Sequence, residues 1–274
     1  MRHVAPVELT DLPTLTDIKG SVKPIHRPPI EASFAEIEAA YDDFAAAIPH
    51  DLHALTPIGL SPDVRKTLAT IFSSRLGKFR SLWDALNDHF EDTGNSTCPY
   101  CNFGEQWEHD HYLPKSMFPE FTLFPRNLVP ICKPCNGKKL ARYHETGSRL
   151  FIYALSELSG IDGLLQVDIT YLPKLTVSYS LANPGTLESF AVLERHFQAL
   201  DLGRRYTKQA STTMALLLKT FQSPASLDLG PRKLRRRLRQ MAIDRKTQCP
   251  PNHWEVALLQ HLAESGDFVN YVFS

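Results

Sequence analysis

The chain lacks any apolar run of about 18 residues, the length a membrane-spanning helix needs, which argues against a transmembrane segment. The opening MRHVAPVELTDLP lacks the charged-then-apolar layout of a secretory signal. Internal repeats and low-complexity tracts are absent as well, so no array or tail is expected. Cysteine is scarce, at 5 in 274 residues, and four of the five fall in two close pairs. That pattern suits a metal site in a reducing compartment better than a disulfide framework, and it points to the cytoplasm. The fifth, Cys249, reads as an inert thiol. Net charge is also absent, at +0, yet the average hides an asymmetry. Residues 31–92 carry 11 acidic and 5 basic side chains, whereas 204–246 carry 12 basic and 2 acidic. Local fields steer binding, so a neutral total does not argue against a polyanionic ligand.

What is present reads first as helix. Hydrophobic residues make up 43% and charged residues 22%, the balance of an ordinary globular protein. Residues 1–30, rich in proline and without periodicity, read as an extended arm. From residue 31, Phe34, Ile37, Tyr41, Phe44 and Ile48 recur at helical steps, and Pro49 stops the helix. Ser61 reads as an N-cap with Pro62 at the first position of a helix reaching about Phe90, with Gly77 as a break into two. The aromatics along it, Phe72, Phe79 and Trp83, sit at core spacing rather than forming a base-stacking platform. Thr93–Ser96 reads as a loop, and Leu150–Leu158 as an apolar helix. LQVDITYL and KLTVSYSL alternate and read as a strand pair joined at Pro173, followed by a turn at Asn183–Gly185. Helices are expected over 186–201, 204–221, 231–243 and 252–264.

The stretch from Cys98 to Lys139 carries the chemistry. CPYC and CKPC supply Cys98, Cys101, Cys132 and Cys135, two turns whose thiolates can reach one tetrahedral ion. A redox pair would need a thioredoxin-like βαβ setting, which is missing. A structural Zn²⁺ is the expectation, closing a unit too small for a good core. Between the pairs stand His109, Asp110 and His111 on a short extended run, where alternate side chains face opposite ways. Taken alone, His109 reads as a solvent-facing neighbour. His144 could line the site or cap a helix.

The segments CPYC, DHYLPKS, NLVPIC and CKPCNGKK together resemble the HNH nuclease family in its four-cysteine, zinc-stabilised form. The resemblance covers roughly residues 98–139. It implies an α+β fold, mostly helical, with a central ββα-metal module between N-terminal and C-terminal helical regions. The boundaries read as 1–30 arm, 31–97 helical region, 98–148 module, and 149–274 strand pair followed by helices. It also implies His111 as general base, Asp110 and Asn136 as ligands of a catalytic Mg²⁺ or Mn²⁺, and Asn127 as a brace behind the base. The glycine pair that often follows the Asp-His step is replaced here by KSMFPEF. The chemistry fits: a neutral imidazole can take a proton from water, and hard oxygen donors suit a hard cation.

The resemblance implies an endonuclease acting on DNA, with RNA such as tRNA as the alternative substrate. A non-catalytic zinc module that binds nucleic acid or protein is a further alternative. Lys115, Lys138 and Lys139 flank the expected cleft and read as phosphate contacts or as solvated side chains. Arg232, Lys233, Arg235, Arg236, Arg237 and Arg239 leave Leu234 and Leu238 on one face of a helix. The basic groups then form a solvated face, a phosphate-tracking helix or a dock for an acidic partner. The form also resembles nuclease subunits of bacterial anti-phage systems, which implies an ATPase or other defence-system protein as partner. A double-strand break would call for a homodimer or for repositioning.

Overall fold

A computed structural model describes the chain except residues 93–95, 107, 184, 186, 188 and 225–229. The expected loop at Thr93–Ser96 falls largely on residues outside that description, and so does Pro184 of the expected turn at Asn183–Gly185, where the Gly185 N–H donates to Asn183 Oδ1 at 2.8 Å. The fold is mostly helical with small antiparallel sheets, an α+β arrangement. The chain divides into two compact units. One holds His3–Tyr100 and Gly104–Ser159, and the other holds Gly160–Ser274 with Met1–Arg2 and Cys101–Phe103.

The first unit begins differently from the expected extended arm. It carries helix α1 (Leu15–Ser21) and helix α2 (Arg27–Ala32). A capping box explains α1: the Thr14 hydroxyl accepts the Asp17 N–H while the Asp17 carboxylate accepts the Thr14 N–H. The prolines suit the start of α2, where no amide proton is needed. Helix α3 (Phe34–Ala47) buries Ile37, Ala40, Phe44 and Ala47. Helix α4 (Pro62–Ser74) is capped by Ser61 as its sequence anticipates, and helix α5 (Lys78–Asp92) follows after a break at Gly77.

Strand β1 (Glu108–His111) pairs antiparallel with strand β2 (Leu128–Ile131), placing Asp110 opposite Val129 and His111 opposite Leu128. Helix α6 (Lys133–Lys139) comes directly after β2. The connection between the strands is buried, and its aromatics Phe121 and Phe124 meet Tyr41 and Phe44 of α3. Tyr41 stacks on Phe124 at 4.1 Å between ring centres, a contact worth about 1 kcal/mol beyond its buried area.

Residues 150–158 are not the helix that their apolar content suggests; they form buried turns. Apart from the Ser156 and Glu157 N–H groups, which close on the Tyr153 carbonyl, the bonds there run to side chains and distant residues. The Glu157 carboxylate accepts the Tyr153 N–H and both guanidinium arms of Arg149, at 2.6 and 2.9 Å. Phe151 offers its carbonyl to the Tyr112 hydroxyl, and Ala154 accepts the Val4 N–H. An amide bound to a side chain is lost to an i−4 ladder, and Leu158 adopts a φ of 66° that ends any helix.

In the second unit, strand β5 (Leu165–Thr170) pairs with strand β6 (Thr176–Leu181), after the two-residue strands β3 (His144–Glu145) and β4 (Ser148–Arg149) of the first unit. Val167, Val177 and Tyr179 point inward, as their alternation anticipates. Helix α7 (Phe190–Ala199) is shorter than the expected 186–201. Helix α8 (Leu202–Phe221) buries Leu202, Tyr206, Ala210, Met214, Leu217 and Phe221 at helical intervals. Helix α9 (Gly230–Gln248) runs past the expected 243 and buries Leu234, Leu238 and Ala242 along one face. Helix α10 (Trp254–Glu264) is capped by His253, and helix α11 (Gly266–Phe273), capped by Ser265, was not expected. No helix among the described residues is long and apolar enough to cross a membrane.

Candidate functional site

The cysteines converge. The sulfurs of Cys98, Cys101, Cys132 and Cys135 all lie within 4.8 Å of one another, and all four residues are buried and free of disulfides. Local geometry explains this. Thr97 bridges Glu105 and the Cys98 N–H donates to the Gly104 carbonyl, folding CPYC into a tight turn. Cys132 is the N-cap of α6, with a proline in the first turn, so Cys135 lies one helical turn on. A tetrahedral zinc with Zn–S bonds of about 2.3 Å sets sulfurs about 3.8 Å apart, a spacing that falls within the 4.8 Å limit of this cluster. The cluster can therefore hold a zinc ion.

A cleft of about 410 Å³ is lined by Phe72, Arg75, Trp83, Glu108, His109, Asp110, His111, Lys115 and Asn136. Along β1, Glu108 and Asp110 are half-buried while His109 and His111 are buried, the alternation of a strand. Asp110 and His111 thus leave the backbone on opposite faces yet both reach the cleft.

His111 is 6% exposed, and its Nε2 lies 3.0 Å from the Thr122 carbonyl. A carbonyl can only accept, so Nε2 carries the proton and Nδ1 is the bare nitrogen. Burial pushes the imidazole pKa down to about 3, against the carbonyl bond that raises it. The ring is therefore neutral at pH 7. Its face lies 4.6 Å from the Phe72 ring.

Asp110 is mostly buried, and one carboxylate oxygen lies 2.8 Å from Lys139 Nζ. Burial pushes its carboxyl above the usual range, while Lys139 pulls the other way. Lys139 is fully buried and also donates to the His111 carbonyl at 3.0 Å. It stands beneath the strand, not at the surface where a phosphate contact was expected. Its position on the inner face of α6, opposite Asp110, explains the burial.

Asn136 sits in the middle of α6, which begins at Lys133. Its Nδ2 donates to the Glu108 carboxylate, which leaves Oδ1 as its acceptor. Asn127 is fully buried. Its Oδ1 accepts the Leu113 N–H at 2.8 Å, and its Nδ2 donates to the carbonyls of Leu113 and Phe121. The side chain clamps the loop that follows His111.

The other expected residues divide. Lys115 lines the cleft with Nζ 4.2 Å above the Phe72 ring, and burial lowers its ammonium pKa. Lys138 is half-buried on α6, and its carbonyl accepts an Arg142 guanidinium bond. His144 is exposed on β3 against Tyr143, outside the cleft. Arg232, Lys233, Arg235, Arg236, Arg237 and Arg239 are all exposed on α9, in the other unit.

His109 does not face solvent as expected. It is 9% exposed, holds Asn87 Oδ1 at 2.7 Å, and meets the Trp83 ring edge-on at 4.8 Å. Burial lowers its pKa to about 4. Glu108, Phe72, Arg75 and Trp83 were missed. Glu108 stands two residues before Asp110, so strand periodicity alone would have put it on the same face. The other three lie on α4, its C-cap and α5, and only long-range contacts bring them to β1.

No family model matches the chain, and no solved structure matches it. Protein ea31 of Escherichia phage lambda is 24% identical over 196 residues, 62% of this chain and 62% of that protein. Septu protein PtuB of Bacillus thuringiensis is 40% identical over 53 residues, 18% of this chain and 21% of that protein. The chain thus aligns with less than two thirds of the length of either relative.

Proposed function

We propose that the protein is a metal-dependent endonuclease of the HNH type, with residues 98–148 as its ββα-metal module and DNA as its substrate. The observation that carries this is the arrangement around His111. A neutral, buried imidazole with a fixed tautomer shares one cleft with Asp110 and Asn136, beside a cysteine cluster able to hold zinc. In this reading the bare His111 Nδ1 takes a proton from the attacking water. Water oxygen bonds to phosphorus, the P–O3′ bond breaks, and the products carry 5′-phosphate and 3′-hydroxyl ends. Asn127 keeps the imidazole in place by clamping the loop behind it. The oxygen donors of Asp110, Asn136 and Glu108 would hold a Mg²⁺ or Mn²⁺, whose chemistry is to stabilise charge on the phosphate and the leaving oxygen. The zinc site is structural and touches no substrate.

The basic face of α9 would follow the nucleic-acid backbone. A role in anti-phage defence, alongside an ATPase or other partner protein, is supported by the local similarity to Septu protein PtuB. RNA is the alternative substrate, because nothing in the cleft selects for or against a 2′-hydroxyl.

The test uses purified protein on plasmid DNA and on total tRNA with Mg²⁺ or Mn²⁺, beside His111→Ala. Cleavage of plasmid by the parent and not by the variant is the expected result. Equal cleavage by both removes His111 as base, and cleavage of tRNA alone moves the substrate to RNA.

A further inference from the structure

The cleft that holds Asp110 and His111 has a wall that does not come from the cysteine-bounded segment. Phe72 and Trp83, from α4 and α5, meet edge to face at 5.6 Å between ring centres. Each carries a cation. The Arg75 guanidinium lies 4.4 Å from the Trp83 ring centre, and Lys115 Nζ lies 4.2 Å from that of Phe72. Both cations line the same cleft as His111, Asp110 and Asn136. Among the described residues no carboxylate lies within ion-pair distance of Arg75 or Lys115. Two cations held over ring faces and in no ion pair among the described residues make a seat for an anion, against the opposing charge of Glu108 and Asp110 in the same cleft.

We propose that Arg75, acting with Lys115, is the phosphate clamp of this cleft and grips the nucleic-acid backbone beside the scissile bond. The proposal rests on the nuclease assignment for the meaning of "scissile"; the anion-binding claim stands on the wall itself. A guanidinium presents a planar fork that matches two phosphate oxygens, and stacking on an indole orients that fork before the ligand arrives.

The backbone is built to present Arg75. It is the C-cap of α4 in the left-handed region, at φ 48° and ψ 53°, and its N–H closes on the carbonyls of Ile71 and Phe72. Gly77 follows at φ 56°, and a Cβ there would meet Ser21 Oγ at 2.4 Å. The Ser21 hydroxyl accepts the Lys78 N–H at 2.6 Å and so caps α5. Ser21, at the end of α1, thus pins the α4–α5 corner, and the corner aims Arg75. Ser21 acquires a role that the sequence of residues 1–30 did not disclose.

The experiment measures binding of a short fluorescein-labelled DNA duplex to the full chain by anisotropy, in the His111→Ala background without divalent metal, across a salt series. Arg75→Met keeps the stem on Trp83 and deletes the charge. Its expected effect is about tenfold weaker binding and a log–log salt slope smaller by about 1, with an unchanged melting temperature. Arg75→Lys should keep the slope and recover part of the affinity. If Arg75→Met destabilises the fold, Arg75→Lys and Lys115→Met decide the matter by the same slope. Binding and slope equal to the His111→Ala parent, or a parent that binds no DNA, overturns the proposal. Cleavage by the unmodified chain against His111→Ala is scored separately, so loss of the nuclease assignment is told apart from loss of the clamp.

Discussion

Lys139 Nζ lies 2.8 Å from an Asp110 carboxylate oxygen, with the two side chains only 1% and 11% exposed. A lysine three residues beyond Asn136 thus serves as the inner counter-charge of the candidate ligand. Removing one partner of such a pair leaves the other buried and uncompensated. Lys139→Met is expected to lower stability by about 3–5 kcal/mol in a urea melt. Adding Asp110→Asn should restore part of that loss, because the stranded charge is then gone. A single variant as stable as the parent would show that water already screens the pair.

Asn127 makes three bonds to backbone groups of the loop after His111. Asn127→Ala leaves the Leu113 N–H and carbonyl without side-chain partners in a dry site. The expected loss is about 2–6 kcal/mol from two groups at about 1–3 kcal/mol each. Cleavage should fall more steeply than DNA binding, since the loop adjoins His111 while Arg75, the main arm of the proposed clamp, stands on the C-cap of α4 outside it. Urea melts and separate binding and cleavage assays check both parts.

Zinc is expected at one ion per chain by elemental analysis. Removing it with a strong chelator, or substituting Cys132→Ser, should unfold the surrounding segment, because metal binding supplies folding free energy there. Loss of circular-dichroism signal and of the melting transition reports this. A chelated protein that keeps its transition would show the four thiols to be self-sufficient core.

His253 gives an acid-sensitive cap. Its Nδ1 accepts the Glu255 N–H at 3.3 Å and starts α10. Burial, with Arg245 nearby, lowers its pKa to about 4. The unfolded value is about 6.5, so between these limits the unfolded chain binds more protons. Stability contributed here is complete above about pH 6.5 and is lost as pH falls towards about 4. His253→Asn keeps a capping acceptor that does not protonate, and it should flatten the stability–pH slope across that window.

How much was legible in sequence depends on the range of the contacts involved. The cysteine cluster was legible because CPYC and CKPC are self-contained turns whose ligand spacing is local. The strand pair Leu165–Thr170 and Thr176–Leu181 was legible because alternation marks one buried face. Ser61–Pro62 and the break at Gly77 were legible because capping and left-handed conformations carry their own residue signature. The helix expected at 150–158 failed because Glu157, held by Arg149, captures the Tyr153 amide that composition would give to a helical ladder. His109 and Lys139 were misjudged for a related reason. Polarity favours exposure, and only the tertiary surroundings supply the Asn87 bond and the Asp110 partner that permit burial.

By itself the sequence determined the thiol set, four cysteines in two turns, and through the family resemblance it singled out Asp110, His111, Asn127 and Asn136 for the roles proposed above. Those assignments depend on spacing along some forty residues, which covalent geometry and secondary structure nearly fix. Tertiary structure decided which nitrogen of His111 is bare, that Lys139 backs Asp110, and that Arg75, Phe72 and Trp83 close the cleft. These are contacts between residues far apart in the chain. They arise from burial of α4 and α5 against β1, which no local pattern encodes.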